Sequence, residues 1–336
     1  MRILSTIKSR LIRIAGPLGL YTLARQLTRH ELRILMYHRF GEFDSANRLS
    51  GETFRQQLRT LKKYFRLITL AELAEQIKSE SVETDQVVIT VDDGYQDFYD
   101  IAFPVLQEEG VPATFFVTTG FIDGRIWLWP DLLEYALEHT NRDELNLIAY
   151  GAASTASLDN EAGRRDAWDV LVEYLLNRSI DNRSQELQKI CDFLAVKCPD
   201  SPTSGYESVN WDEIRVISEA GIEIGAHTIN HPRLTCLSDI ELRSEISGSK
   251  IRIEEKLGKQ VHTFCYPNGA PNDYDTRVAT AVENAGFDCA VAAHFDGQNG
   301  DRYQLRRLGI GASSFQFKKS MHGVEHLGGR LGGTAI

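Results

Sequence analysis

Two adjacent carboxylates and two histidines are the residues of this sequence whose types and spacing could do chemistry. Asp92 and Asp93 follow a long apolar run in TVDDGYQD, and His227 and His231 lie four residues apart in GAHTINHPRL. Like charges this close oppose each other's ionisation unless a cation or a proton separates them. One carboxylate with two histidines can hold zinc or a similar divalent ion and leave coordination positions open. The alternative is a solvated turn, because Asp-Asp-Gly also occurs in ordinary turns.

The hydrophobic pattern indicates which elements position these side chains. From Arg33 onward, short β-branched or apolar runs alternate with longer helical patterns, which is typical of βα units around a parallel sheet. We predict strands over residues 33–38, 66–69, 86–92, 113–119, 222–227, 262–267, 289–293 and 304–310. Seven or eight such units favour a closed (β/α) barrel over an open sheet.

Helical patterns fill most of the gaps between these strands, and one long stretch interrupts the alternation. Residues 127–206 contain helical patterns and no convincing strand, so we predict a helical insertion after the fourth strand. The barrel would then comprise residues 31–126 and 207–318. We expect a basic amphipathic helix over residues 1–30 before it and a flexible Gly-rich tail over residues 319–336 after it.

Polar residues follow four of the predicted strands. His38, the Asp92-Asp93 pair, His227 and the YPNG turn at 266–269 all lie at carboxyl ends of strands. In a parallel barrel these ends share the face on which active sites are built. The sequence therefore predicts that residues far apart along the chain meet in one site.

The composition of the chain argues against a nucleic-acid partner and against a framework built on its cysteines. The chain has 336 residues, is 42% hydrophobic and carries a formal net charge of −10, which argues against a nucleic-acid partner. Its five cysteines are odd in number and form no CxxC pair, so neither a zinc ribbon nor a complete disulfide framework fits. We expect free, mostly buried thiols in a reducing compartment.

Residues 1–28 are basic and amphipathic, with Leu, Ile and Tyr opposite Lys and Arg. Arg10 and Arg13 interrupt the apolar stretch and no small-residue cleavage site follows, so we predict a cytoplasmic protein without a clear signal peptide. Such a helix would suit peripheral contact with an anionic membrane surface, or it would pack on its own domain. The sequence leaves both arrangements open.

The segments TVDDGYQD, GAHTINHPRL and FCYPNG, in this order, resemble the polysaccharide deacetylases of the NodB-homology group, carbohydrate esterase family 4. The resemblance covers roughly residues 33–125 and 207–310. It implies a distorted (β/α)7–8 barrel related to the TIM barrel. It also implies metal-dependent hydrolysis of N-acetyl groups on an amino-sugar polysaccharide or oligosaccharide.

The same motifs imply a role for each residue of the predicted site. By this resemblance, Asp93, His227 and His231 bind the metal and Asp92 is the catalytic base. The early segment LMYHRF resembles the branch of the family that deacetylates poly-N-acetylglucosamine, in which an early strand carries the catalytic histidine. His38 is therefore the candidate acid.

The YPNG turn departs from the family pattern. The family often has an Arg before the Pro and a Tyr after it, where this chain has Cys265 and Asn268. In the family that Arg orients the base, so we expect Arg306 or Arg307 to replace it here. Either arginine could instead form a structural ion pair.

Within the turn itself we expect Tyr266, Asn268 and Gly269 to contact the substrate or its oxyanion. The expected cofactor is a divalent metal ion, zinc first, with Co, Ni, Mn or Fe as alternatives, because aspartate with two histidines accepts several first-row ions. The expected partner is an N-acetylated glycan.

Three functions are compatible with these motifs. The first is a metal-dependent carbohydrate deacetylase, and the second is a deacetylase or deformylase of a lipid-linked sugar at a membrane. The third is a non-catalytic, metal-containing barrel that binds sugar. The presence of Asp92 together with all three candidate ligands argues against the third, because a site that had lost its activity would be expected to lose one of them.

Overall fold

The structure, a computed structural model, describes residues 12–13, 15–45, 47–295 and 301–330. In chain order its strands are β1 (Ile34–Tyr37), β2 (Phe40–Gly41), β3 (Leu49–Ser50), β4 (Arg66–Ile68), β5 (Gln86–Val91), β6 (Thr114–Val117), β7 (Glu144–Asn146), β8 (Thr155–Ser157), β9 (Glu223–Ala226), β10 (Thr263–Cys265), β11 (Cys289–Ala292), β12 (Leu305–Arg306) and β13 (Leu308–Gly309).

The α-helices are α1 (Tyr21–Leu27), α2 (Gly51–Lys62), α3 (Leu70–Lys78), α4 (Phe103–Glu109), α5 (Thr119–Ile122), α6 (Trp129–His139), α7 (Glu161–Leu176), α8 (Ile180–Phe193), α9 (Trp211–Glu219), α10 (Asp239–Leu257), α11 (Thr276–Asn284), α12 (Ser314–Met321) and α13 (Val324–Arg330). Short π-helical segments precede α1 and α4, at Gly16–Leu20 and Phe98–Ala102. Single 3-10 turns lie at Ile148–Tyr150 and Leu234–Cys236.

Most of the strands belong to one parallel sheet that curves into a nearly closed barrel. Neighbouring strands follow the order β12-β11-β10-β9-β6-β5-β1-β13, and β4 pairs with the start of β5. β12 pairs with β11, and β13 pairs with β1. Because only Arg307 separates β12 from β13, one short segment of chain links the two ends of the sheet. The prediction of a distorted (β/α) barrel is confirmed.

The central strand of the site shows why the sequence folds in this way. β5 carries the run QVVITV, and all six of its residues are buried. Strands with helices on one face and the barrel interior on the other read as near-continuous apolar runs. The run ends at Val91, so the next two residues, Asp92 and Asp93, emerge at the carboxyl end of the barrel.

Two helices with strong N-terminal signals flank the strand that carries His227. α9 begins with a capping box between Asn210 and Glu213, and α10 begins with one between Ser238 and Glu241. Both helices contact β9 and pack against it. His227 directly follows β9 and therefore points into the same face as Asp93.

The insertion has its own apolar cluster, formed by α6, α7, α8 and the hairpin β7–β8 around side chains such as Leu133, Leu171 and Ile190. The hairpin is antiparallel, whereas the sequence analysis predicted no strand in this region, so that part of the prediction is wrong. Each of the two strands has only three residues, ELN and TAS, which is too short to show an alternating pattern. The limits of the insertion stay a prediction.

The carboxyl-terminal segment also differs from its prediction. Residues up to 330 form α12 and α13, although a flexible tail was expected from residue 319. α13 packs on α1 through Val324, which contacts Tyr21 and Ala24, and this burial offsets the low helix propensity of its glycines. Residues 331–336 lie outside the described part of the chain, as do residues 1–11 of the predicted amphipathic helix. Among the described helices, none combines the length and the apolar character needed to cross a membrane.

Candidate active site

A cavity of about 590 Å³ lies at the carboxyl ends of the barrel strands, within the size range of small-molecule sites. The barrel and the insertion both line it. The barrel residues include His38, Asp92, Asp93, His227, His231, Asn268 and Arg307. The insertion residues include Asp131, Glu134, Glu138, Arg164, Arg165 and Trp168. Of the predicted site residues, all but Gly269 and Arg306 therefore line one cavity.

Three of these side chains are arranged as the ligands of a metal ion would be. His227 Nε2 lies 3.3 Å from Asp93 Oδ1, and His231 Nε2 lies 3.5 Å from the same oxygen. One ligand atom from each residue falls within 4.8 Å of the other two. A tetrahedral ion with bonds of about 2.0–2.1 Å holds its ligand atoms about 3.3 Å apart. The donor set and its spacing fit a divalent cation.

The two histidines differ in protonation when no cation is bound. His227 Nδ1 lies 2.8 Å from the carbonyl oxygen of Cys265, a geometry in which Nδ1–H donates. Burial would lower the pKa of His227, but Cys265 and the Asp93 carboxylate outweigh it and raise that pKa well above its ordinary value, so a cation would replace the proton on Nε2. Burial, reinforced by the nearby charge of His227, lowers the pKa of His231 to about 3. His231 is therefore neutral at pH 7 and can offer its own lone pair.

Several site residues have backbone conformations that side chains rarely adopt. Asp93, Thr228, His231 and Asn268 have φ values of 81°, 66°, 50° and 61°. Each such residue costs roughly 1–3 kcal/mol and persists only where its surroundings hold it. Gly94, which follows Asp93, has φ 103°, and a Cβ there would lie 2.7 Å from Ile122 Cδ1. The turn thus requires glycine at this position.

A glutamate on α10 holds the loop that carries His231. Glu245 Oε2 accepts hydrogen bonds from the backbone N–H groups of Ile229 and Asn230, both at 2.9 Å. Its Oε1 accepts from Asn230 Nδ2 at 2.6 Å. Sequence reasoning missed Glu245, because α10 carries several glutamates and nothing local distinguishes the one that faces the loop.

The second carboxylate, Asp92, is paired with a buried arginine. Arg307 Nη1 and Nη2 each lie 2.7 Å from one oxygen of Asp92, a bidentate arrangement. Arg307 Nη2 is also 3.1 Å from Cys265 Sγ. Of the two arginines predicted to orient the base, the structure places Arg307 there, while Arg306 hydrogen-bonds with Tyr274. Burial would raise the pKa of Asp92, but the guanidinium of Arg307 outweighs it and holds that pKa below its ordinary value.

His38 follows β1 and lies beside this pair. Its Nε2 is 3.6 Å from Asp92 Oδ2, and its side chain is 44% exposed. An imidazole in this position can exchange protons with solvent and still reach a group bound above Asp92. The geometry is compatible with the acid role that the sequence resemblance implies for His38.

Two residues of the YPNG turn, Tyr266 and Asn268, line the cavity. The buried Nδ2 of Asn268 has no hydrogen-bond partner among the described residues. The hydroxyl of Tyr266 donates to the carbonyl of Tyr303 at 2.7 Å, and the N–H of Gly269 donates to Pro267 O at 2.6 Å. These two donors are therefore engaged within the protein, and a contact of Tyr266 or Gly269 with the substrate stays a prediction.

The insertion supplies a buried carboxylate that the sequence analysis did not assign to the site. Asp131 is 6% exposed, and its Oδ2 accepts a hydrogen bond from Tyr95 Oη at 2.8 Å. Burial raises the pKa of Asp131 to about 7, against the opposing charge of Arg39. An aspartate after a proline in a first helical turn is explained by helix initiation, so no sequence signal pointed to the cavity.

A family model described as polysaccharide deacetylase matches residues 79–146 and 177–290, more than half of the chain. YxkH of Bacillus subtilis (strain 168), classed by name among the polysaccharide deacetylases, is 20% identical over 293 residues, which cover 85% of this chain and 75% of YxkH.

Two solved structures share the fold. IcaB of Ammonifex degensii superposes with a TM-score of 0.55 at 18% identity, covering 87% of this chain and 97% of IcaB. The deacetylase PplD of Streptococcus pyogenes, solved in complex with acetate, superposes with a TM-score of 0.53 at 17% identity, covering 84% of this chain and 93% of PplD.

Proposed function

The chain belongs to the polysaccharide deacetylase family, hydrolases of carbon–nitrogen bonds other than peptide bonds, and from this premise we propose that it removes N-acetyl groups from an amino-sugar glycan in a metal-dependent reaction. One observation carries the proposal. Asp93, His227 and His231 converge on a common point, and the ionised Asp92–Arg307 pair lies in the same cavity.

The candidate ligands of the cation are Asp93, His227 and His231. Zinc is the expected ion, with Co, Ni, Mn or Fe as alternatives. A divalent cation held there would supply Lewis acidity, which activates water and polarises the acetyl carbonyl.

Asp92 is the proposed general base. Arg307 keeps Asp92 ionised and fixes the orientation of its carboxylate, so Asp92 can accept the proton of the attacking water. His38, 3.6 Å from Asp92, is the proposed acid that protonates the departing amine. The products are acetate and a free amino sugar.

Asn268 is the proposed contact of the developing oxyanion. Its side-chain Nδ2 is buried without a partner, and its backbone N–H has none among the described residues. Buried donors without partners are costly unless a ligand or water satisfies them. A carbonyl oxygen that gains negative charge during the reaction would accept a hydrogen bond from such a donor.

The proposal is tested by acetate release from N-acetylglucosamine oligomers, with and without a chelator. We expect the chelator to abolish release, and Asp92→Asn to retain the metal but lose turnover by about 100- to 10,000-fold. Asp166→Asn, an exposed substitution on α7, serves as the control. Release that survives the chelator would contradict the metal requirement, and no release with the metal bound would favour a non-catalytic barrel that binds sugar.

A second candidate places the substrate on a membrane lipid, as a deacetylase or deformylase of a lipid-linked sugar. Residues 1–30 contain six Lys or Arg and no Asp or Glu, in a chain of net charge −10. In the described part of this segment, Leu18 and Leu23 are 82% and 53% exposed. Basic segments with exposed apolar side chains bind anionic bilayers.

Liposome co-sedimentation tests the membrane contact. We expect the full chain to sediment with anionic vesicles and the double variant Leu18→Ser, Leu23→Ser to remain in the supernatant. Ile240→Ser, which removes a 75% exposed side chain from α10, is the matched control. Equal sedimentation of all three proteins would contradict this contact.

A further inference from the structure

The contact between Asp131 and Tyr95 joins the insertion to the turn that carries Asp93. Asp131 lies in the first turn of α6, and Tyr95 follows Asp93 by two residues. The hydrogen bond from Tyr95 Oη to Asp131 Oδ2 is 2.8 Å long and buried. None of the steps proposed above uses either residue.

Other contacts immobilise the Tyr95 side chain. The guanidinium of Arg39 lies over the Tyr95 ring at 3.7 Å from its centroid. Arg39 is itself held by Asp97, with Nε 2.8 Å from Asp97 Oδ2, and its Nη1 is 4.0 Å from Asp131 Oδ1. Phe121 packs against the ring edge-on, with the centroids 5.5 Å apart. The ring is fixed on its face, at its edge and at its hydroxyl.

The turn before Tyr95 requires such support. Asp93 and Gly94 are consecutive residues in the left-handed region, with φ 81° and 103°. Three backbone hydrogen bonds hold them, from Thr118 N to Asp93 O at 3.1 Å, from Val209 N to Gly94 O at 3.0 Å and from Gly94 N to Asp92 O at 3.2 Å. These bonds hold the backbone from Asp92 to Gly94, and the contacts of the Tyr95 side chain hold the turn on the side of the insertion.

We propose that Asp131 and Tyr95 form a clamp through which the insertion holds Asp93 in the orientation that binds the cation. Asp131 is then a positioning residue, and the insertion is part of the metal site although it supplies none of the candidate ligands. This inference rests on the proposed function, since it takes Asp93 as a ligand. Contacts that orient metal ligands typically change metal affinity by about 10- to 100-fold when they are removed.

The test measures zinc affinity directly. Protein stripped with a chelator is titrated with Zn²⁺ by calorimetry, and the Co²⁺ absorption spectrum reports the coordination geometry. We expect Tyr95→Phe and Asp131→Ala to weaken zinc binding by about 10-fold or more and to alter the Co²⁺ spectrum. Asp131→Asn should keep the zinc affinity and the Co²⁺ spectrum of the unchanged protein, because its amide oxygen can accept the hydrogen bond from Tyr95.

Tyr206→Phe is the matched control. It removes a similar hydrogen bond, from Tyr206 Oη to Glu138 Oε2 at 3.1 Å, on the same helix α6 but away from the Asp93 turn. We expect this variant to bind zinc as the unchanged protein does, even if its melting temperature falls as far as that of Tyr95→Phe.

The outcomes separate the clamp from the proposed function. If the unchanged protein binds no zinc, cobalt or other first-row ion, the proposed metal site fails. If it binds zinc and Tyr95→Phe binds equally tightly with the same Co²⁺ spectrum, the clamp is overturned and the proposed function stands. An equal loss of affinity in Tyr206→Phe would also overturn the clamp, since that loss would then follow from general destabilisation.

Discussion

The barrel and the insertion line one cavity, but they hold their polar side chains by different means. On the barrel, Asp92 is buried and makes two bonds of 2.7 Å with Arg307. On the insertion, Glu134 reaches the barrel through one exposed hydrogen bond, from Asn47 Nδ2 to Glu134 Oε1 at 3.2 Å. Removing one partner of a buried charged pair costs far more than breaking an exposed contact. Substitutions on the barrel side should therefore have the larger effects.

Asp131 is the exception that relates the two regions. It belongs to the insertion by position but is buried like a barrel residue and contacts the turn next to Asp93. The expected effect of a substitution therefore depends on the burial and the partner of the side chain more than on whether the residue belongs to the barrel or to the insertion. The following substitutions test this distinction, from the largest expected effect to the smallest.

Arg307→Met should have the largest effect, because it leaves Asp92 buried without a counter-ion. We expect the free energy of unfolding to fall by about 3–5 kcal/mol. Acetate release should fall by about 100-fold or more, since the carboxylate would no longer be held ionised. Urea unfolding and an activity assay measure the two effects. Arg306→Met is the control, and an equal loss in that variant would contradict the assignment.

Glu245→Ala should weaken metal binding by about 10-fold, because it removes the hydrogen bonds that hold the His231 loop. Calorimetric titration with Zn²⁺ measures this change. Glu254→Ala is the matched control from the same helix, since Glu254 Oε1 accepts a hydrogen bond from Val261 N at 3.0 Å, at a loop that carries no candidate ligand. Unchanged zinc affinity in Glu245→Ala would show that the loop holds its own shape.

Gly94→Ala should lower the free energy of unfolding by about 1–3 kcal/mol, because φ is 103° and the added Cβ would meet Ile122 Cδ1 at 2.7 Å. Thermal unfolding measures the change. Gly124→Ala is the control, with φ 67° but no atom within 4 Å of the added Cβ, so its loss should be smaller. Equal losses would mean that backbone conformation alone sets the requirement for glycine.

A separate effect, expected only as pH changes, comes from Asp131. Its pKa is raised by burial to about 7 in the folded protein, above the ordinary value of 3.8. Protonated Asp131 favours the folded state, and this contribution is full below pH 4 and is lost as pH rises through 7. Asp131→Asn has no carboxyl group to ionise at this position. The free energy of unfolding of this variant, relative to that of the unchanged protein, should therefore increase between pH 4 and pH 7.

Urea unfolding of both proteins across this pH range measures the difference. The control is Asp166→Asn, an exposed substitution that should show no such trend. A stability difference between Asp131→Asn and the unchanged protein that stays constant from pH 4 to pH 8 would mean that Asp131 is ionised throughout.

The strand ends could be predicted because their signals are local. The apolar run before Asp92 predicted a strand over 86–92, and the structure has Gln86–Val91. His227 was predicted at a strand end in the same way, and β9 ends at Ala226. A polar residue directly after a β-branched run indicates both where the strand ends and where a site residue lies. This signal spans only a few adjacent residues.

Residues that depend on register or on distant contacts could not be predicted. The choice between Arg306 and Arg307 requires knowing which of two neighbouring side chains faces inward, and a shift of one residue reverses that choice. Glu245 and Asp131 act through contacts across 15 and 36 residues, with Asn230 and Tyr95. No local pattern distinguishes them from ordinary helix residues.

The closure of the barrel through residues 305–309 has a consequence for the order of events in folding. Arg307 lies between β12, which pairs with β11, and β13, which pairs with β1. Until residues 305–309 have docked, Asp92 lies next to Asp93 without the guanidinium that pairs with it. Closure of the barrel and the pairing of Asp92 with Arg307 therefore occur in a single step, so a chain in which residues 305–309 have not docked leaves Asp92 without its guanidinium partner.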